Sequence, residues 1–431
     1  MSVNFEGRLW SREDLLGRFR KVRRRTEELA APLSPEDQTI QSMESASPVR
    51  WHLAHTTWFF DTFVLSMHDE SWEGVDPSFR ERFNSYYQGV GPSWPRARRG
   101  GLSRPTSEEV REYRRVVDEA MVSFLSRSTG SARWWAAVEI GLEHEGQHQE
   151  LLLTDIKHGL WSQLGSPVYG ELRRRSRPAK GGRRASWVGF QSGIYEVGHG
   201  GPGFAFDHEG PRHRVFLEDF EVASRPVTCG EYLEFMIDGG YDDPRWWLSQ
   251  GWEVRQAEGW RGPLYWEDRG TDHGDAQWQV YTLRGWQEVN RAEPVAFVSF
   301  FEADAYARWA MARLPTEAEW EVAAATREVE GHFAEEDLFH PRPVGGAPGA
   351  LHGLFGDVWE WTGSPYVAYP GFRPWTGVLG EYNGKFMCNQ YVLRGGSCLT
   401  GREFLRPTTR NYFSPETRWQ CAGFRLARTM S

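Results

Sequence analysis

The strongest constraint on the fold is a change in sequence texture near residue 185. Before this point, long stretches carry apolar residues at helical spacing. After it, the segments become short and rich in Gly and Trp. Long amphipathic stretches joined by loops pack as helical bundles, whereas short irregular segments are typical of mixed α+β structure. We therefore predict a multidomain protein with an N-terminal all-α four-helix bundle and a C-terminal α+β domain. The predicted bounds are 1–170 for the bundle, 171–185 for a linker or exposed loop, and 186–431 for the second domain.

Local signals place the individual elements. Ser11, followed by Glu13 and Asp14, is typical of a helix start because its side chain can cap a free N–H and the acidic residues interact favourably with the positive end of the helix dipole. Thr316 and Glu319 form a capping-box pattern that predicts another helix start. The predicted helices are 11–31, 49–67, 107–125, 132–160, 229–235, 301–310 and 316–324, and the predicted strands are 187–195 and 214–223.

Composition excludes several classes of protein. The length of 431 residues suits two or three domains, and 25% charged residues are ordinary for a globular chain. A net charge of −9 disfavours a general nucleic-acid binder. None of the four cysteines forms a CxxC pair, so a cysteine zinc site or a disulfide framework is not expected. We see no signal-peptide apolar region and no membrane-length apolar run, and we expect a cytoplasmic protein.

The chemistry is concentrated in one motif of the fourth predicted helix. His144 and His148 are four positions apart and share one helix face, where they can bind one metal. Glu145 follows the first of them, as in the HExxH pattern of zinc peptidases. The alternative is a polar helix face with two hydrogen-bonded histidines.

The second predicted helix supplies a further histidine, either His52 or His55, in Trp51-His52-Leu53-Ala54-His55. A bundle brings the second and fourth helices together. Three neutral imidazoles leave coordination positions open, which suits iron or catalytic zinc. The pattern by itself decides neither the third histidine nor the metal.

The chain resembles the EgtB-type sulfoxide synthases of ergothioneine biosynthesis, in particular the bacterial subtype that uses free cysteine. The matching stretches extend over nearly the whole chain and include Asn84-Ser85-Tyr86-Tyr87 and Tyr382-Asn383-Gly384. The others lie within 47–60, 144–155, 313–321, 356–361, 385–387, 393–398 and 410–413. The resemblance implies a DinB-like bundle followed by a C-type-lectin-like domain of the formylglycine-generating-enzyme type.

The resemblance also implies the reaction and its reactants. These are Fe(II), O2, cysteine and hercynine, whose imidazole becomes bonded to sulfur as a sulfoxide. It selects His55, with His144 and His148, as the metal ligands, and leaves His52 to packing or hydrogen bonding. It does not favour Glu145 as a general base.

The remaining expected site residues also follow from the resemblance. Tyr86 and Tyr87 match a tyrosine pair near the iron, where a phenol can donate a proton; packing of paired aromatics is the alternative. Gln147 is expected to face the hercynine imidazole. Aromatic faces suit a quaternary ammonium, which has no N–H to donate. The other expected substrate-binding residues are Asn411, Tyr412 and Phe413 for hercynine, and Arg96 and Arg99 for the thiol substrate's carboxylate.

Two departures from the family pattern keep alternatives open. Gly146 stands where the family has Gln, and Tyr412 stands where this subtype commonly has Phe. A selenoneine synthase, which takes selenium from a selenosugar, is therefore a rival, and γ-glutamylcysteine is another possible donor. An ovothiol-type synthase, which acts on histidine, is a further alternative. A formylglycine-generating enzyme would need a closely spaced cysteine pair, whereas Cys398 and Cys421 are far apart in sequence. A non-catalytic DinB-like binding protein would lack a metal ligand, yet all three histidines are present.

Overall fold

A computed structural model describes residues 11–127, 132–170, 172, 184–270, 277–347 and 349–430. Its described residues form two compact units. The helical unit comprises Met1–Gly170 with two later segments, Gly201–Phe204 and Arg373–Gly384. The sheet-containing unit comprises Glu171–Gly200, Ala205–Phe372 and Lys385–Ser431. Most of the predicted linker at 171–185 lies outside the described residues.

Four long helices dominate the helical unit, as predicted. The helices are α1 (Arg12–Ala30), α2 (Val49–Phe60), α3 (Ser66–His68), α4 (Phe79–Arg82), α5 (Ser107–Arg127) and α6 (Ala132–Trp161). The side chain of Ser11 accepts a hydrogen bond from the N–H of Asp14 at 3.1 Å, which confirms the predicted start of α1. The helix expected over 49–67 contains a π-helical turn, Asp61–Leu65, between α2 and α3. Helix α2 packs against α5 and α6, and α1 packs against α6.

Gly141 permits α2 and α6 to approach closely. A Cβ atom at this position would lie 2.6 Å from the Phe60 ring, a distance that no side chain tolerates. Phe60 is fully buried, and its neighbours Trp58 and Phe59 are buried as well. Because these two helices carry the predicted histidines, this close approach sets the geometry of the site.

The described residues of the sheet-containing unit form four α-helices and several small sheets. Its helices are α7 (Cys229–Ile237), α8 (Ser249–Ala257), α9 (Phe300–Trp309) and α10 (Glu317–Ala324). Its strands are β1 (Trp187–Phe190), β2 (Gly193–Val197), β3 (His213–Leu217), β4 (Phe220–Ala223), β5 (Trp266–Asp268), β6 (Trp278–Thr282), β7 (Gly285–Glu288), β8 (Gly331–His332), β9 (Phe355–Gly356), β10 (Trp359–Pro365), β11 (Tyr391–Arg394), β12 (Asn411–Phe413), β13 (Ala422–Gly423) and β14 (Ala427–Thr429). The sheet orders are β1-β4-β14, β12-β11-β10-β13, β2-β3, β5-β6-β7 and β8-β9. The predicted α+β class is confirmed.

The two strands predicted at 187–195 and 214–223 are each divided in two. β1 pairs with β4 and β2 pairs with β3, both antiparallel, and the breaks fall at the same level. At this level the N–H of Ser192 donates to the carboxylate of Asp219 at 2.5 Å, so a side chain replaces the strand ladder. The predicted capping box is present, since Thr316 and Glu319 exchange hydrogen bonds of 3.2 and 2.7 Å at the start of α10. Within the described ranges, no helix is both long and apolar enough to cross a membrane.

Candidate metal centre

Three histidines meet inside the helical unit. One ligand atom from each of His55, His144 and His148 lies within 4.8 Å of the others, which is a group that could hold a metal ion. The Nε2 atoms of His55 and His144 are 3.1 Å apart. The Nδ1 atom of His55 lies 2.5 Å from the carbonyl oxygen of Phe83, and a ring nitrogen facing a carbonyl must donate. The Nε2 atom of His55 therefore carries a lone pair directed into the cluster.

Burial keeps the three imidazoles neutral. Desolvation is the largest cause that lowers the pKa of each ring, and the neighbouring imidazoles add repulsion. The pKa of His144 falls to about 3, although Glu145 opposes the shift. Metal binding requires neutral imidazoles. The three donors are therefore available to a metal at neutral pH without losing protons.

Aromatic rings hold these imidazoles in place. Trp51 stacks on His55 with ring centroids 4.4 Å apart, and Trp58 stacks on it at 5.5 Å. Phe59 packs against His144 at 4.8 Å. These ring contacts restrict rotation of the imidazoles, so the donors are positioned before a metal binds.

His52 lies beside the cluster and bonds to one of its members. Its Nδ1 atom is 2.8 Å from Nδ1 of His148, and its Nε2 atom is 3.1 Å from the carboxylate of Asp155. Both ring nitrogens of His52 are therefore occupied by neighbours. The group that could hold a metal therefore contains His55, whereas His52 contacts His148 from outside that group.

Glu145 is occupied in a buried ion network. Its carboxylate accepts hydrogen bonds from Arg23 at 2.9 Å, Arg114 at 2.5 Å and Thr26 at 2.6 Å. Burial by itself raises the pKa of Glu145, but Arg114 and Arg23 outweigh it and lower the pKa to about 2. These contacts join α6 to α1 and α5, and they leave no free basic oxygen of the kind that a peptidase needs.

Tyr382 lies beside the histidine cluster, although the sequence assigned no role to this tyrosine. Its hydroxyl donates to the side-chain oxygen of Gln147 at 2.5 Å, and its ring centroid lies 5.8 Å from that of His144. The adjacent Glu381 accepts hydrogen bonds from the backbone N–H groups of Gln88 and Gly89 at 3.0 and 2.9 Å. In the sequence, only the family motif that begins at Tyr382 pointed to this segment. The contact itself could not be predicted, because 235 positions separate Tyr382 from Gln147.

The predicted tyrosine pair lies near Trp58, one of the aromatic rings that pack against the histidine cluster. Tyr87 is fully buried and stacks on Tyr86 with centroids 4.6 Å apart. Tyr87 also packs on Trp58 at 5.9 Å, and Trp58 is the ring that stacks on His55. These contacts fit the packing alternative, and a catalytic role for the pair stays a prediction.

The two predicted arginines differ in environment. Arg99 is buried, donates to the Ser47 hydroxyl at 2.8 Å, and lies 3.4 Å over the Trp51 ring. Arg96 is exposed, and its carbonyl oxygen accepts from Gln41. Arg99 is therefore a fixed cation at the edge of the cluster, whereas Arg96 is a surface side chain.

The predicted hercynine residues form β12 in the sheet-containing unit. All three side chains of Asn411, Tyr412 and Phe413 are half-buried. Tyr412 stacks on Tyr366 with ring centroids 3.9 Å apart, and Asn411 accepts from the N–H of Tyr412 at 2.8 Å. Their role in substrate binding stays a prediction.

Comparison with known proteins decides the family. The sulfatase-modifying factor enzyme 1-like domain matches residues 175–430, and the DinB superfamily matches residues 18–152. A hercynine oxygenase from Mycolicibacterium thermoresistibile is 32% identical, over 88% of this chain and 87% of that relative. One from Mycobacterium tuberculosis is also 32% identical, over 88% of this chain and 91% of the relative. The chain belongs to the hercynine oxygenase family. This membership confirms the resemblance stated from the sequence and makes the chain an enzyme.

The formylglycine-generating enzymes match a smaller part of this chain than the hercynine oxygenases do. One from Streptomyces coelicolor is 30% identical over 53% of this chain and 83% of its own length. The sulfur atoms of Cys398 and Cys421 lie 3.7 Å apart in the interior, despite their separation in sequence. The hercynine oxygenases, by contrast, match residues of both units.

Proposed function

We propose that this chain is a non-haem Fe(II)- and O2-dependent sulfoxide synthase that joins the sulfur of cysteine to the imidazole of hercynine. The observation that carries the proposal is the buried cluster of His55, His144 and His148. The names of the relatives support hercynine as the substrate that is oxidised. Three neutral imidazoles without a carboxylate ligand would hold a metal there and would leave further coordination positions open.

The reaction balances with one molecule of O2. One imidazole C–H bond and one thiol S–H bond are lost, and a C–S bond and an S–O bond form. One oxygen atom ends in the sulfoxide and the other leaves as water with the two hydrogens. Iron, when bound, supplies the redox chemistry that lets O2 react with a thiol, which zinc cannot supply because it does not change oxidation state.

Residues of the helical unit are proposed to orient the imidazole of hercynine and to donate a proton during the oxidation. Tyr382 and Gln147, joined by their hydrogen bond, are suited to orient an imidazole near His144. Tyr86 and Tyr87 are proposed as further phenols that donate a proton during the oxidation.

Charged and aromatic residues are proposed to bind the substrate ends. We assign the carboxylate of cysteine to Arg99, assisted by Arg96, because a guanidinium pairs with a carboxylate through two parallel hydrogen bonds. We assign the quaternary ammonium of hercynine to the aromatic faces of Tyr412 and Phe413. Asn411 is proposed to hydrogen-bond the carboxylate of hercynine.

The deciding experiment supplies Fe(II)-loaded protein with hercynine and cysteine under air and reads the product mass. We expect a product with the mass of hercynine plus cysteine plus two oxygen atoms minus one water. Parallel reactions contain γ-glutamylcysteine or a selenosugar in place of cysteine, so that the donor is identified directly. Absence of a hercynine-derived product with every donor would refute the proposal.

A further inference from the structure

A series of hydrogen bonds leads from the histidine cluster to the buried residues His52, Asp155 and Ser47. His148 and Asp155 are seven positions apart on α6 and therefore lie on one face of that helix. His52 of α2 stands between them, with Nδ1 at 2.8 Å from Nδ1 of His148 and Nε2 at 3.1 Å from Oδ2 of Asp155. The backbone N–H of Ser47 donates to the same Oδ2 atom at 2.8 Å. His52, Asp155 and Ser47 are all buried.

The donor and acceptor roles in this series of hydrogen bonds follow from the backbone N–H of Ser47 at its end. A backbone N–H can only donate, so Oδ2 of Asp155 is an acceptor toward Ser47. The same oxygen faces Nε2 of His52, which must carry the hydrogen because two lone pairs would otherwise meet at 3.1 Å. In the neutral ring the hydrogen on Nε2 leaves Nδ1 as an acceptor. Nδ1 of His148 must then donate to it, and Nε2 of His148 keeps its lone pair.

We propose that Ser47, Asp155 and His52 form a positioning relay that holds His148 in the tautomer whose Nε2 is free to bind the metal. This inference rests on the proposed metal-binding role of His148. Hydrogen bonds from ligand histidines to carboxylates or other acceptors fix ring orientation and strengthen the donor, and their loss typically weakens metal binding about 10- to 100-fold. His52 is thus a partner of a ligand, and Asp155 acts through His52.

Ser47 is itself held in place. Its hydroxyl accepts a hydrogen bond from Arg99 at 2.8 Å, while its N–H serves Asp155. Arg99 in turn lies over Trp51, the ring that stacks on His55. The relay is therefore held in place by Trp51, one of the aromatic rings that pack against the histidine cluster.

The test measures binding of Co(II), as a probe with visible absorption bands, by direct titration and by competition with a chelator. His52→Leu removes the acceptor for His148, and we expect affinity to fall about 10- to 100-fold with altered bands. His52→Asn places an amide oxygen near the former Nδ1 position, and we expect it to recover most of that loss. His158→Leu is the matched control, because His158 lies on the same helix but bonds to Ser42 outside the cluster.

A double variant tests whether the two residues act in series. Asp155→Leu alone should weaken Co(II) binding as His52→Leu does, and the double variant should be no weaker than either one, because residues in one chain are not additive. If His52→Leu does not fold, Asp155→Asn keeps an acceptor oxygen without the charge, and we expect its affinity to fall several-fold. The relay is refuted if folded His52→Leu or Asp155→Asn binds Co(II) like the wild type, or if His52→Asn is as weak as His52→Leu. Failure of the wild type to bind Co(II) or Fe(II) would instead refute the proposed function.

Discussion

The Nε2 atoms of His55 on α2 and His144 on α6 lie 3.1 Å apart, although 89 positions separate these residues in sequence. Two unprotonated ring nitrogens at this distance repel each other unless a cation or a shared proton lies between or beside them. Since burial lowers the pKa of both rings, both are neutral, and without a metal the hydrogen between them is the Nε2–H of His144, which donates to Nε2 of His55. A metal ion bound here would replace that hydrogen and accept the Nε2 lone pairs of both rings.

His144→Ala should abolish iron binding and hercynine-dependent O2 consumption, because two imidazoles do not retain the metal that three hold. Iron content after gel filtration and oxygen uptake measure the two effects. His158→Ala, which alters a histidine of the same helix outside the cluster, should retain both. Normal turnover by the His144 variant would contradict the assignment of this residue.

Tyr86→Phe or Tyr87→Phe should shift the outcome from C–S coupling toward simple thiol oxidation, because a missing phenol proton slows the coupling branch. The ratio of sulfoxide to cystine, measured by mass spectrometry, reports the shift. Tyr113→Phe, which removes a phenol bonded to Asp61, is the control. An unchanged ratio in both variants would assign the pair to packing.

Tyr382→Phe should lower turnover without loss of iron, because the ring remains beside His144 while the hydrogen bond to Gln147 is lost. We expect a reduction of about 10²-fold if the phenol takes part in proton transfer. Steady-state kinetics with measured iron content separate this effect from metal loss. A variant with wild-type turnover would show that the phenol only positions Gln147.

Glu145→Gln should destabilise the helical unit by about 3–5 kcal/mol, because Arg23 and Arg114 are then buried without their shared countercharge. Urea unfolding followed by circular dichroism measures the change. Glu112→Gln, which alters an exposed partner of Arg115, should leave the unfolding midpoint unchanged. A stable Glu145 variant that has lost only activity would restore the general-base alternative.

His208 should make the sheet-containing unit sensitive to acid. Burial first, and then Arg410, lowers the pKa of His208 from its usual 6.5 to about 3. A group whose pKa is depressed on folding contributes stability above pH 6.5, and this contribution is lost as pH falls toward 3. The slope from one such proton is about 1.4 kcal/mol per pH unit. Unfolding midpoints measured across this range should fall less steeply in His208→Gln, and equal slopes would contradict the assignment.

The helices, their starts and the histidine pair could be predicted from the sequence because they depend on local spacing. Ser11, Thr316 and the i, i+4 relation of His144 and His148 act within one or two turns of helix, so neighbouring residues carry the information. The two divided strands could not be predicted in this way. Their breaks depend on the contact between Ser192 and Asp219, which lie on different segments.

The sequence by itself determined the two-part architecture, the family resemblance and the pair of candidate metal ligands on α6. The tertiary structure brought His55 to that pair, joined His52 to His148 and Asp155, and turned Glu145 toward two arginines. It also placed Tyr382 beside His144, from a segment more than two hundred residues away. Helical spacing defines which side chains share a face, but the packing of α2 against α6, made close by Gly141, decides which of those faces meet.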